Sequence, residues 1–253
     1  MVTGFESFRT HFAGYEDCYT IIGGTACDIL MSDAGVEFRA TKDVDMILLI
    51  EERFPAFAKR FWDYVKAGGY RCGWKKEEAP HFYRFTEPAS NNYPSMIELF
   101  SRRPDFQIGH EDIHLTPLPV TDEISSLSAI MLDDDYYHLM QQGRKTVSGV
   151  SVLDAEYLIS FKVKAWLDLT EKKSNGIHVN DRDLRKHRAD VFRLYAIVDP
   201  SKRIELPLKI QEEMRRFLSL MEQESLNMQQ YGLDDLSLQD VFDGLRTIYL
   251  LNV

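Results

Sequence analysis

Two aspartates at the start of an apolar segment have the spacing that most directly suggests chemistry in this chain. Asp43 and Asp45 begin the segment that continues to Ile50, which is otherwise apolar and typical of a buried β-strand. Side chains two residues apart on a strand leave the same face, with Cα atoms about 7 Å apart. Two acids on one buried face repel each other unless a cation lies between them. Paired carboxylates suit Mg²⁺, whose coordination substrate phosphates complete, so the pair predicts a metal site for a phosphate-bearing substrate.

A glycine pair precedes this strand. The short segment Tyr19–Ile22 stops at Gly23 and Gly24, and Thr25 with Asp28 matches the helix-start pattern S/T-x-x-D/E. We therefore predict a helix of about ten residues from Thr25. Unpaired amides at a helix start bind phosphate, and glycine lets the phosphate approach the backbone closely. The sequence thus predicts a phosphate site, to which the Thr25 hydroxyl adds a contact.

A third acid lies inside another apolar segment. Glu98 is the single carboxylate within Met96–Phe100, and an unpaired acid is costly in a buried strand. Two explanations stay open. Glu98 joins the two aspartates as a third carboxylate, or it pairs with an arginine such as Arg84.

These motifs together resemble those of a known superfamily. Gly-Gly-Thr-Ala at 23–26, followed by Arg-x-Thr-x-Asp-x-Asp at 39–45, is similar to the DNA polymerase β-type nucleotidyltransferases and, more narrowly, to AbiEii-type nucleotidyltransferase-like toxins. The resemblance extends loosely to Phe-Lys-Val-Lys-Ala at 161–165 and Lys-His-Arg-Ala-Asp-Val at 186–191. In the last segment, His187 stands where the toxins carry aspartate.

The resemblance implies a nucleotidyltransferase that uses two metal ions, Mg²⁺ or Mn²⁺. The implied catalytic residues are Asp43, Asp45 and Glu98, which hold the metals, and Lys162, which neutralises the leaving pyrophosphate. The implied nucleotide-binding residues are Gly23, Gly24, Thr25, Arg39, Thr41, Lys162 and Asp190.

Several of these roles have alternatives. Lys164 competes with Lys162 for the position beside the triphosphate. Asp190 either lies at the rim of the site or forms an ion pair on a helix surface, and Arg39 either binds phosphate or supports its loop. Glu98, or the metal ions alone, lower the pKa of the attacking hydroxyl.

The acceptor is predicted to be an RNA, with a tRNA end favoured. The segment Lys172–Arg193 has seven basic and three acidic residues in an otherwise acidic chain, which favours phosphate binding, although a solvated helix face has the same composition. Another candidate acceptor is a cationic small molecule such as an aminoglycoside, which an acidic protein attracts. A third hypothesis, from a different class, is a catalytically silent binding protein. The resemblance also implies a small antitoxin partner.

Hydrophobic periodicity predicts the helices and strands that position these residues. Aromatic residues at spacings of three and four predict a helix within 3–17, and Phe54–Ala67 predicts another. A hairpin is predicted within 136–153, with helices after it. Short alternating segments predict antiparallel strands of one sheet at Tyr70–Trp74, His81–Thr86, Met96–Ser101 and Ile113–Leu118.

This order of elements predicts an α/β (α+β) fold. The resemblance implies that residues 1–121 form a nucleotidyltransferase-type mixed sheet with flanking helices. A mostly helical domain is expected over residues 122–253, where it closes the cleft.

Composition and charge limit the classes of protein to which this chain can belong. The 253 residues are 44% hydrophobic and 28% charged with a net charge of −10, which excludes a disordered chain and a coiled coil and argues against bulk nucleic-acid binding. The three cysteines form neither a disulfide framework nor a paired metal motif. The longest apolar run has five residues, against about 20 for a membrane span. We therefore expect a cytoplasmic protein with no membrane partner and no targeting segment.

Overall fold

The computed structural model describes residues 2–49, 54–74, 82–100 and 133–251. The chain divides into two compact units, Met1–Thr121 with Arg144–Asp154, and Asp122–Gly143 with Ala155–Val253. The segment Arg144–Asp154 departs from the predicted division between residues 121 and 122. It belongs to the first unit because its second strand pairs with the strand nearest the N-terminus.

The first unit is built on a mixed sheet of seven described strands. Their spatial order is β3-β4-β5-β2-β1-β7-β6. In chain order they are β1 (Tyr19–Ile22), β2 (Asp43–Leu48), β3 (Arg71–Trp74), β4 (Phe82–Thr86), β5 (Met96–Phe100), β6 (Arg144–Val147) and β7 (Val150–Leu153). Strand β2 is parallel to β5 and β1 is parallel to β7, whereas the other neighbours are antiparallel. The predicted α/β class with a mixed sheet is confirmed.

Aromatic packing joins the helices that flank this sheet. In the described part of the first unit they are α1 (Phe5–His11), α2 (Gly23–Asp33) and α3 (Phe54–Gly68). The ring of Phe12, just after α1, lies 5.5 Å from that of Phe57 and 5.9 Å from that of Phe61, both on α3. All three rings are fully buried, and burying such rings stabilises the contact between the helices.

The second unit is helical. Its described helices are α4 (Asp134–Gln142), α5 (Ala155–Ser174), α6 (Asp181–Tyr195), α7 (Leu208–Met221), a 3₁₀ helix (Met228–Tyr231) and α8 (Leu238–Ile248). Its core includes Trp166 and Phe217, whose ring centroids lie 5.3 Å apart. The predicted helical C-terminal part is confirmed. Within the ranges that the structure describes, no helix is both long and apolar enough to cross a membrane.

Two predicted elements differ from the structure. Residues 136–142, predicted as part of a hairpin, lie in α4, because the Asp133 side chain accepts hydrogen bonds from the amides of Asp135 and Tyr136 and caps a helix there. Helix α2 begins at Gly23 rather than at Thr25. The strand predicted at Ile113–Leu118 lies outside the described residues.

Candidate active site

Asp43 and Asp45 lie at the start of β2, near the middle of the sheet. Both are half-buried, whereas Val44 between them is buried, so the two carboxylates leave the same face. Asp45 is in register with Ile22 of β1 on one side and with Glu98 of β5 on the other. Asp45 is therefore the residue at which the separate sequence motifs meet.

Helix α2 begins against the Asp45 carboxylate. Gly23, its first residue, has a φ of +69°, and a Cβ atom there would lie 1.9 Å from Asp45 Oδ2. Glycine satisfies both the left-handed backbone and the close approach. Among the described residues, no side chain caps this helix start, and its first turn has no acid. The start of α2 therefore has the features of an anion site beside a carboxylate pair.

The loop before β2 brings two further predicted residues to the same helix start. A Cβ atom at Gly24 would lie 2.8 Å from Thr41 Oγ1 and 3.5 Å from Arg39 Nη2. A hydroxyl and a guanidinium both donate hydrogen bonds to phosphate oxygens. The structure thus places Arg39 and Thr41 beside the glycine pair.

Thr25 has a different contact from the predicted one. Its hydroxyl donates a hydrogen bond to the Asp43 carbonyl oxygen at 2.5 Å, and the residue is 1% exposed. A hydroxyl has one proton to donate, and here that proton is used within the protein. Thr25 therefore braces β2 against α2 rather than facing a phosphate.

Glu98 lies between Asp45 and Arg84 in one row across three strands. It is in register with Asp45 on β2 and with Arg84 on β4. Arg84 Nε donates to Glu98 Oε1 at 2.7 Å, and Arg84 Nη2 lies 2.7 Å from the same oxygen. The Asp45 side chain also lies close enough to Glu98 to affect its pKa. Both situations that the sequence left open for Glu98 therefore occur together: it adjoins the aspartate pair, and it pairs with Arg84.

Burial has the largest effect on the pKa of Glu98 in this row. Burial raises the pKa of Glu98, and the nearby Asp43 carboxylate raises that pKa further. The positive charge of Arg84, its hydrogen bond and the Asp45 side chain lower the pKa of Glu98, but less than burial raises it. A cation beside these carboxylates would relieve their repulsion.

From the sequence, Arg84 was predicted only as an alternative partner of Glu98. The two residues lie on β4 and β5, which a connection over residues 87–95 separates, and their pairing depends on the register of the two strands across it. The sequence signal for this pairing was a single arginine between aromatic residues, in a segment for which a strand was predicted.

Lys162 and Asp190, the predicted site residues of the second unit, pair with each other. Lys162 Nζ on α5 donates to Asp190 Oδ2 on α6 at 2.9 Å, and both residues are buried. Lys164, the competing lysine, lies 2.9 Å from Asp168 and 3.0 Å from Glu213. The observed pair joins two helices, and the assignment of Lys162 and Asp190 to a nucleotide stays a prediction.

The chemistry of Asp43 and Asp45 fits a hard divalent cation. They supply carboxylate oxygens, which Mg²⁺ and Mn²⁺ prefer, beside a helix start suited to phosphate. In the part of the chain that the structure describes, no group of three or more histidine, cysteine, aspartate and glutamate side chains is placed to hold a metal ion. Glu98 adjoins the aspartate pair, and its contact with Arg84 engages one of its two carboxylate oxygens.

Comparison with known proteins gives a distant structural similarity. No protein-family model matches the sequence, and no curated protein matches it. The crystal structure of an antigenic nucleotidyltransferase-like protein from Paracoccidioides brasiliensis is similar, with a TM-score of 0.47 and 14% sequence identity. The similarity covers 91% of this chain and 85% of that one.

Proposed function

We propose that this chain is a Mg²⁺-dependent nucleotidyltransferase, which moves a nucleoside monophosphate from a nucleoside triphosphate to an acceptor hydroxyl. The observation that supports this most is the position of the Asp45 carboxylate, against Gly23 on α2 and in register with Glu98 on β5. A helix start suited to phosphate is thereby adjacent to a carboxylate pair suited to a cation.

Each part of the site has a role in this reaction. Asp43 and Asp45 would hold Mg²⁺, which when bound neutralises charge on the phosphate oxygens. The amides of the glycine pair and the Arg39 guanidinium would bind the β- and γ-phosphates. The acceptor oxygen attacks the α-phosphorus in line, and its bond to phosphorus forms as the bond to pyrophosphate breaks. The hydroxyl proton passes to Glu98, the carboxylate of the row that pairs with an arginine.

The acceptor in this proposal is an RNA, with a tRNA end favoured. The basic segment Lys172–Arg193 belongs to the second unit, where Lys173, Arg185 and Arg188 help to line a cleft of about 380 Å³ between α5 and α6. Basic grooves of this kind follow a phosphate backbone. The second candidate acceptor is a cationic small molecule, which the net charge of −10 favours.

The experiment that tests this function is incubation of the protein with each α-labelled nucleoside triphosphate and Mg²⁺, with total tRNA or an aminoglycoside as acceptor. We expect label on the acceptor and release of pyrophosphate. Asp45→Asn should lower turnover by at least about 100-fold, a loss typical of removing one key electrostatic group. Its thermal midpoint should stay the same or rise, because asparagine can hydrogen-bond to Glu98 and repels it less.

The matched control is Asp63→Asn, at an exposed position on α3. It removes the same charge from the same unit and should leave turnover unchanged. Equal Mg²⁺ affinity of wild type and Asp45→Asn by calorimetry would contradict the metal assignment. If label were found only on the aminoglycoside, the acceptor would be a cationic small molecule and not an RNA.

A further inference from the structure

Hydroxyl groups of two side chains hold the backbone at the start of β2. Thr25 Oγ1, in the first turn of α2, donates a hydrogen bond to the carbonyl oxygen of Asp43 at 2.5 Å. Ser95 Oγ, just before β5, donates to the carbonyl oxygen of Lys42 at 2.9 Å. Both acceptors belong to the main chain. The two bonds therefore restrain the backbone that carries the Asp43 carboxylate.

Strand pairing holds Asp43 and Asp45 to different extents. The register of β1 with β2 ends at Ile22 opposite Asp45, because the chain enters α2 at Gly23. Asp45 therefore has a strand on each side, β1 and β5. Asp43 is the first residue of β2, two residues beyond the end of the register with β1, and the ends of strands fray more easily than their middles. At Asp43 a side chain of α2 donates to β2, where the backbone of β1 has ended.

Burial distinguishes the two hydroxyls. Thr25 is 1% exposed, so water has little access to replace its hydroxyl when that group is removed, and a buried polar group that loses its partner is costly. Ser95 is exposed, so a water molecule can take over its bond to Lys42. Thr25 is therefore the hydroxyl on which the position of Asp43 depends more.

We propose that Thr25 is a positioning residue, which holds the Asp43 carboxylate where it can share a divalent cation with Asp45. This inference rests on the proposed function, which supplies the cation. Groups that fix metal-binding carboxylates contribute to metal affinity although they do not touch the ion. Because Thr25 lies in the first turn of α2, its bond also holds the proposed phosphate site at a fixed position relative to these carboxylates.

The test is a titration of the protein with Mn²⁺ in the absence of nucleotide, with free Mn²⁺ measured by electron paramagnetic resonance. Thr25→Val keeps the shape of the side chain but removes the hydroxyl, and it should weaken Mn²⁺ binding at least about tenfold. Thr25→Ser keeps the hydroxyl and should stay within about threefold of wild type. Thr25→Ala removes the hydroxyl without placing a methyl group against the carbonyl oxygen, and it should also weaken Mn²⁺ binding, so the test stands even if Thr25→Val does not fold.

The matched control is Thr20→Val, on β1 of the same sheet. Thr20 is fully buried, and its hydroxyl lies 3.3 Å from Ser151 Oγ on β7, so the control also removes a buried hydroxyl, but one whose partner is not on β2. Both valine variants should unfold at a lower urea concentration than wild type. Only Thr25→Val should lose Mn²⁺ affinity.

A double-mutant cycle tests whether Thr25 acts through Asp43. Asp43→Asn removes the carboxylate charge that Thr25 is proposed to position. Adding Thr25→Val to that variant should therefore change Mn²⁺ affinity by less than about threefold, although the same change in wild type costs at least about tenfold.

Two results would overturn the inference and leave the proposed function standing. One is wild-type Mn²⁺ affinity in the folded valine or alanine variant of Thr25. The other is equal loss of affinity in Thr25→Ser and Thr25→Val, which would show that packing of the methyl group, and not the hydroxyl, matters. A wild-type protein that binds no Mn²⁺ would instead overturn the metal centre of the proposed function, and this inference with it.

Discussion

The absence of a single side chain determines how closely α2 approaches the Asp45 carboxylate. At Gly23 the backbone is left-handed, and the space that a Cβ atom would need is taken by the Asp45 carboxylate, 1.9 Å away. A side chain at residue 23 would have to displace Asp45, which lies between the start of α2 and Glu98. The proposed anion and cation sites are therefore adjacent because residue 23 is glycine.

Gly23→Ala should raise the Kd for nucleoside triphosphate at least about tenfold and weaken Mn²⁺ binding, because the new methyl group pushes the Asp45 carboxylate from its place. The left-handed backbone adds a cost of about 1–2 kcal/mol in stability. Gly35→Ala is the matched control, since Gly35 has a φ of +74° and a Cβ atom there meets nothing within 4 Å. Calorimetry with triphosphate and Mn²⁺ compares the two variants. Equal ligand affinity in both would show that only the backbone matters.

The residues of this site differ in how far the sequence could predict their positions. Asp43 and Asp45 share a face because alternation on one strand is a local property. The contacts of Thr25 and Arg84 depend on how α2 packs on β2 and on the register of β4 with β5. Those relations involve residues far apart in the chain, and a single sequence contains no local signal that fixes them.

At the scale of elements, the second unit uses a buried ion pair to join two helices. Lys162 on α5 and Asp190 on α6 have side chains 4% and 0% exposed, with Nζ and Oδ2 2.9 Å apart. Arg193 Nη1 lies 3.9 Å from the other Asp190 oxygen. A buried pair of this kind is sensitive to the loss of either member, because the remaining charge stays buried.

Lys162→Met should lower the free energy of unfolding by about 3–5 kcal/mol, because it leaves the Asp190 carboxylate buried without its lysine. The double variant Lys162→Met with Asp190→Leu should recover most of that loss, since it buries no charge. Lys59→Met, in an exposed pair with Asp63 on α3, is the control and should cost less than about 0.5 kcal/mol. Urea unfolding measures all three. A double variant that is less stable than the single one would show that the two residues do not act as a pair.

The helices and strands were predictable where hydrophobic periodicity was strong. Helix α3 begins at the predicted Phe54 and ends at Gly68, one residue after the predicted end. Helix α4 was missed because residues 136–153 were predicted to form a hairpin, although Asp133 is an N-cap whose carboxylate also pairs with Lys209. The start of α2 was missed because its first turn has no capping side chain.

At the scale of the whole molecule, charge is unevenly distributed. The chain has a net charge of −10, yet Lys172–Arg193 carries seven basic and three acidic residues. Two cations of the cleft between α5 and α6 already pair with carboxylates, Lys173 with Asp181 and Arg188 with Glu224. Such pairs hold their cations in place but reduce the field that an RNA phosphate meets. Arg185, which also lines the cleft, is therefore the cation whose loss should matter most there.

Reversing Lys172, Lys173 and Arg185 to glutamate should lower tRNA affinity at least about tenfold and reduce the slope of log affinity against log salt by about 2, since each single-strand phosphate neutralised contributes about 0.7. Triphosphate binding should stay nearly intact, because its proposed pocket is built from the glycine pair and the two aspartates of the first unit. The matched control reverses three exposed cations of that unit, Lys59, Lys66 and Arg71, and so changes the net charge equally. Filter binding across a salt series, paired with triphosphate calorimetry, separates a local contact from the overall field.

If both triple variants lose tRNA affinity to the same extent, only the overall field matters. If neither loses affinity, the segment is a solvated helix face, and the acidic chain is better matched to a cationic small-molecule acceptor.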